Sequence, residues 1–222
     1  MLNITLEDSR ARALDFADMT GSGFPDTARL DGYLNDGFGE IHELLALHDY
    51  LRSKHAITLV AGTEEYALPA DFYKASSVWK LVSGRRYEIK RFNIAQLSGM
   101  KTTGPASSDS AELWYVPQRA LLVKPDDKIG YDLPNGWETF APLHAAIQLL
   151  NREESDVQAL MAERERIKQR IVLHVEPRDA SPDSIEDHYG RWADGSAVED
   201  AVSLRYRVIG SKILFVDFGS GA

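Results

Sequence analysis

Residues 57–72 read ITLVAGTEEYALPADF, and this stretch decides the fold class. The β-branched and aliphatic run from Ile57 to Val60 favours a pleated strand. Gly62 supplies a turn, and Tyr66 and Leu68 alternate before Pro69 closes the run. The pattern is strand, turn, strand. A second pair follows: Val78 to Val82 leads into Ser83-Gly84-Arg85, with Tyr87 and Ile89 on the way out, which predicts another hairpin. Next, NIAQLSGM at 93–100 suits a helical turn or two. KTTGPASSDSA at 101–111 is small and polar, buries too little to offset the entropy of ordering, and predicts a mobile loop. ELWYVPQRALLVKP at 112–125 then predicts two short strands around Pro117 and Gln118.

Upstream the periodicity is helical. Thr5 stands three residues before Asp8, and Leu6, Ala13, Leu14 and Ala17 recur at helical spacing, predicting a short first helix that stops at the glycines of TGSG. Asp26 caps a second helix whose apolar face is Leu30, Tyr33, Leu34, Phe38, Ile41, Leu44 and Leu45. Gly32, Gly37 and Gly39 interrupt it, each costing about 1 kcal/mol of helicity against alanine. That helix therefore depends on tertiary contacts or on close approach by a neighbour.

Downstream, the strongest helical signal runs from Trp137 to Ile171, broken in two by NREESD at 151–156. Its second half carries charge around most of its circumference and a narrow apolar stripe, the mark of a helix packed on one side only. Such a helix presents a solvated face or a subunit seam. Beyond Val175 the composition shifts to an extended, acidic linker, with seven acids against two arginines from Arg178 to Asp200. The end, SLRYRVIGSKILFVDF, alternates about Gly210-Ser211 as an antiparallel hairpin does. A lone hairpin is marginal in water, so this one must dock on its own core, on a neighbouring copy or on a different protein. The expected fold is α+β: a helical bundle with small antiparallel β-hairpins and an extended C-terminal arm ending in a β-hairpin. Its parts are a core at 1–173, the acidic linker at 174–202 and the hairpin arm at 203–222.

Composition bounds what such a chain can do. With 222 residues and 44% hydrophobic content it fills one sizeable core or two small ones, which excludes a large multidomain enzyme. Its net charge of −9 argues against a protein that coats nucleic acid by neutralising phosphates, although passive contact with DNA is compatible. There is no cysteine, so disulfide scaffolds, thiolate zinc sites and cysteine nucleophiles are impossible. No run of about 18 apolar residues would span a membrane. The opening MLNITLEDSRARALDF reads as neither signal nor transit peptide, so a cytoplasmic site of synthesis is expected.

No catalytic constellation emerges. The six histidines include no pair three or four residues apart, which argues against a metal site, and His144 beside an apolar face reads as structural. Neither a Walker loop, GxGxxG nor GxSxG occurs, so no cofactor is expected. Glu64-Glu65 sit in a predicted turn and Glu153-Glu154 at a helix start, where solvation and the helix dipole explain them. Two basic clusters remain, Arg85-Arg86 with Lys90-Arg91, and Arg164 to Arg170 interleaved with Glu163 and Glu165. Exposed faces explain both. The first cluster, less diluted by acids, is the better candidate for contact with DNA phosphates or an acidic partner.

The run ITLVAGTEEYALPADFYKASSVW, followed by a Gly-Arg turn and YEIKRF, resembles the head-to-tail adaptor, or connector, proteins of tailed bacteriophages. The resemblance continues through ELWYVPQRALLVKPDD and the helix pair from Trp137 to Ile171, and covers roughly residues 26–173. It implies a non-enzymatic structural protein of the virion, assembled in the host cytoplasm at the head–tail interface. Such a protein forms a ring, typically dodecameric, under the portal and extends the DNA channel toward the tail. The implied partners are the portal protein, further copies of itself, tail or head-completion proteins and the genomic DNA, with no membrane. The family's C-terminal segments commonly grip the portal, which makes Tyr189, Trp192, Tyr206, Val208, Ile213 and Phe215 the candidate contacts with portal or a neighbouring subunit. One rival is a monomeric binding module that captures a partner with its hairpin. Another, a virion-borne cell-wall hydrolase, would need paired carboxylates in a cleft, where the sequence offers only scattered acids.

Overall fold

The computed structural model describes residues 4–21, 26–82, 85–92, 105, 109–130, 133–134, 136–175 and 204–217. The chain divides into two compact units, each assembled from two separate stretches. A helical unit takes residues 1–50 and 119–178, and a β unit takes 51–118 and 179–222.

Four helices make the helical unit: α1 (Leu6–Phe16), α2 (Thr27–Leu47), α3 (Phe140–Arg152) and α4 (Gln158–Val175). α1 starts on the capping box anticipated from Thr5 and Asp8. The Thr5 hydroxyl oxygen accepts from the Asp8 backbone N–H at 3.1 Å while the Asp8 carboxylate accepts from the Thr5 backbone N–H. Asp26 caps α2 through the Ala28 N–H. α2 then buries Leu30, Leu34, Phe38, Ile41 and Leu45 along one stripe and packs against α3. At the crossing Gly37 is indispensable, because a Cβ there would lie 2.8 Å from the Ala141 Cα. The close approach inferred from the glycines is thus an α2–α3 contact at Gly37. Gly32 has nothing within 4 Å.

α3 and α4 part at the expected break, where Glu154 adopts φ +57° and Ser155 N–H returns to the Leu150 carbonyl. α4 buries only Ile167, Ile171 and Val175, the narrow stripe its sequence shows.

The second strand expected after Pro117 is absent. Residues 119–124 have no ladder partner, and a side-chain amide takes its place. Asn35 Oδ1 accepts from the Leu122 N–H at 3.0 Å and its Nδ2 donates to the Leu122 carbonyl at 2.9 Å. Leu122 is thereby buried, while its neighbours Leu121 and Val123 point outward, 68% and 71% exposed. Asn35→Leu strands both backbone groups and is expected to destabilise the protein by about 1–3 kcal/mol, read as a lower urea midpoint at unchanged slope.

The β unit holds β1 (Ser53–Thr58), β2 (Glu65–Ala67), β3 (Phe72–Val82), β4 (Arg85–Glu88), β5 (Lys90–Arg91), β6 (Ser110–Pro117), β7 (Leu204–Ile209) and β8 (Lys212–Asp217). They form two four-stranded sheets, ordered β1-β6-β3-β4 and β2-β8-β7-β5. The hairpins β3–β4 and β7–β8 occur as expected, the latter turning at Gly210 with φ +58°. The β part is nevertheless more than hairpins attached to a bundle. β1 and β2 do not pair with each other. β1 joins β6 and β2 joins β8, so the turn after Val60 carries the chain from one sheet to the other. The Tyr66 hydroxyl staples that crossover, accepting from the Val60 N–H at 2.8 Å and donating to its carbonyl. One pairing is parallel, β5 with β7, against the all-antiparallel expectation.

Ile57, Leu59, Val78, Leu113 and Tyr115 meet Leu204, Tyr206, Ile213 and Phe215 in one buried cluster. The terminal hairpin therefore docks on the chain's own β unit and supplies half the strands of the second sheet. The first residues of the expected linker, His174 and Val175, complete α4. Residues 176–203, like NIAQLSGM and most of the polar loop after it, lie outside the described residues.

Candidate interaction surfaces

The basic cluster singled out in sequence sits at one border of the β unit. Arg85 and Arg86 belong to β4, and Lys90 and Arg91 to β5. The parallel pairing sets Lys90 opposite Arg205 and Arg91 opposite Tyr206. β7 thus adds Arg205 and Arg207, which sequence reasoning missed because these residues lie more than a hundred positions downstream. Together these three strands carry six cations against one carboxylate, Glu88.

Not all of these cations are available. Arg86 Nε stands 3.2 Å from a carboxylate oxygen of the buried Glu112, whose other oxygen meets Lys54. Lys90 and Arg91 are exposed. Arg91 meets no carboxylate at ion-pair distance among the described residues.

Beside Arg91 opens a half-enclosed cleft of about 250 Å³, lined by Phe72, Tyr73, Lys74, Ala75, Arg91, Tyr206 and Val208. Burial pushes the Tyr206 hydroxyl above the usual tyrosine value, an effect the Arg91 charge opposes and Glu88 reinforces. At neutral pH the cleft therefore offers two cations and a neutral phenol against aromatic and aliphatic walls. That combination suits an anionic group attached to an apolar one.

The hairpin residues singled out as contacts fall elsewhere. Tyr206, Ile213 and Phe215 are buried in the chain's own core, where Tyr66 meets the Phe215 ring edge-on at 5.6 Å. Val208 is half-buried at the cleft. Tyr189 and Trp192 lie outside the described residues.

In the helical unit an acidic node ties three helices. Glu40 on α2 pairs with Arg164 and, at 3.3 Å, with Lys168 on α4, and stands 3.8 Å from His144 on α3. The Arg164 guanidinium also covers the Phe140 ring at 4.8 Å. Arg164, part of the second basic cluster, is thus engaged internally, and nothing in the sequence spacing singled out Glu40.

The His144 side chain is only 17% exposed beside this node. Burial, then the nearby Arg164 charge, hold its pKa below the usual 6.5, with Glu40 opposing. Because the unfolded chain binds this proton more readily, stability is full above about pH 6.5 and falls as pH drops below it. His144→Gln is expected to flatten that part of the stability–pH curve, measured by urea denaturation between neutral pH and pH 5.

Large apolar side chains of the helical unit are exposed: Leu47 at the end of α2, Leu121, Val123, and on α4 Met161 and Leu173, the last 70% exposed. Among the described residues no group of three His, Asp or Glu is placed to hold a metal ion, and no helix is long and apolar enough to cross a membrane.

No curated protein matches this chain. The sequence pattern of the SU10 adaptor protein matches residues 4–170, from the residue before the α1 cap nearly to the end of α4. With helices and strands alike inside that match, the chain belongs to the SU10 adaptor protein family, the phage head-to-tail adaptors.

Proposed function

We propose that this chain assembles into a dodecameric ring beneath the portal of a tailed phage and extends the DNA channel toward the tail. Family membership makes it a structural adaptor of the virion that binds other virion proteins. The observation that carries the finer reading is the outward apolar set on the helical unit, with Met161 and Leu173 on the one-sided helix α4 as its clearest members. Side chains of this kind, set among the mixed charges of α4, suit a seam between copies. In this reading portal contact falls to Tyr189 and Trp192, while Tyr206, Val208, Ile213 and Phe215 act by holding the hairpin in the β unit. The surplus negative charge discourages DNA from sticking as it passes.

Light-scattering mass of the chain mixed with purified portal tests the reading. Wild type is expected to add a full ring to the portal, and Met161→Asp with Leu173→Asp to leave the chain monomeric, with an unchanged far-ultraviolet spectrum. Failure of wild type to bind portal under any condition overturns the reading in favour of a monomeric binding module.

A further inference from the structure

We propose that the cleft between Tyr73, Lys74, Arg91 and Tyr206 is the docking site of the chain's own acidic segment, residues 176–203. This goes beyond ring assembly and does not depend on it. The first ground is charge. Residues 176–203 hold eight acidic side chains against Arg178 and Arg191, while the cleft is lined by Lys74 and Arg91 with no carboxylate among its lining residues. In a chain of net charge −9 this is a strong local segregation, and the two parts are opposite in sign.

The second ground is chemistry. The lining joins Lys74 and Arg91 to Phe72, Tyr73, Tyr206 and Val208, so a bare phosphate would leave most of it unused. The stretch Asp183-Ser184-Ile185-Glu186-Asp187 sets three carboxylates about Ile185, matching both kinds of wall. The third ground is tethering. Residues 176–203 run directly into Leu204, the first residue of β7, and Tyr206 in the same strand lines the cleft. Asp187 stands 17 positions before Leu204, and a ligand tethered at that length is present at an effective concentration on the order of millimolar, so ion pairs individually worth under about 1 kcal/mol suffice to hold it. The same tether favours the chain's own segment over that of a second copy.

The test places p-benzoylphenylalanine at Tyr73, which lines the cleft and carries none of the charge, in the full-length chain. After irradiation at low salt, cross-links are expected to map to residues 176–203 within a single chain mass. The yield is expected to fall about fivefold or more in 0.5 M salt. Lys74→Glu with Arg91→Glu is expected to reduce it to background. Should that variant fail to fold by circular dichroism, Asp183→Asn, Glu186→Gln and Asp187→Asn together remove the same charges from the other side and are expected to do the same. Cross-links that miss 176–203, or that persist in the neutralised segment, overturn the proposal. Cross-links at twice the chain mass assign the segment to a second copy and overturn it as stated. Capture of an added DNA duplex in place of residues 176–203 makes the cleft a nucleic-acid site and overturns it as well.

Discussion

Phe215→Ala is expected to destabilise the β unit by about 3–5 kcal/mol, enough to consume much of a typical domain's stability. Phe215 is fully buried, faces Tyr206 across the β7–β8 hairpin, meets the Tyr66 ring, and its backbone N–H binds the Glu64 carbonyl at 2.9 Å. Removing the ring opens a cavity where the second sheet meets the first. Hydrogen exchange gives the clearest readout, because amides of β3 and β6 are expected to lose protection together with those of β7 and β8. Loss confined to the hairpin would show that it is peripheral to the core.

This expectation changes how the C-terminal region must be probed. Deleting everything after Leu173 removes two strands of a four-stranded sheet together with Leu204, Tyr206, Ile213 and Phe215. Such a truncation reports on folding before it reports on portal binding. Substitutions within 176–203, which leave both sheets intact, separate the two.

The second large effect is a contrast of sign within one helix. Gly37→Ala drives a methyl to 2.8 Å from the Ala141 backbone and about 3.1 Å from the Ala141 and His144 Cβ atoms. Backbone cannot yield as a flexible side chain would, so a net loss of about 1–3 kcal/mol is expected despite the gain in helix propensity. Gly32→Ala meets nothing within 4 Å and is expected to gain up to about 1 kcal/mol. Thermal melts of the two single variants should shift in opposite directions. Equal shifts would remove Gly37 as the reason α2 and α3 approach so closely.

The helices were readable in sequence because their signals are local. The Thr5–Asp8 box, the Asp26 cap and the NREESD break each involve residues within a turn or two of one another. The β unit was only partly readable. Strand positions follow from alternation and β-branching, but partners do not: β1 and β2 are neighbours in sequence and join different sheets, and β5, two residues long, finds β7 across more than a hundred residues. The stretch 119–124 has the composition of a strand and becomes one only where a ladder partner exists, whereas Asn35 supplies an amide instead.

The candidate surfaces divide in the same way. Arg85, Arg86, Lys90 and Arg91 were visible as a cluster because they are close in sequence, whereas the addition of Arg205 and Arg207, and the cleft lined by Lys74, required the fold. Ile213 and Phe215 stood among the candidate contacts because alternation marks an apolar face of the hairpin without saying that β2 is the strand that pairs with it.

The pairing of β2 with β8 also dictates a timetable. Glu65 and Lys212, which form an ion pair in that ladder, are 147 residues apart, so at translation rates of about 5–20 residues per second the ribosome delivers β8 roughly 7–30 seconds after β2. Throughout that interval the first sheet lacks its facing layer and presents apolar surface to chaperones rather than to partners. A prematurely terminated chain never leaves this state. The fold thus ties completion of the β unit to synthesis of the chain through β8, so a chain that stops earlier keeps the second sheet unfinished.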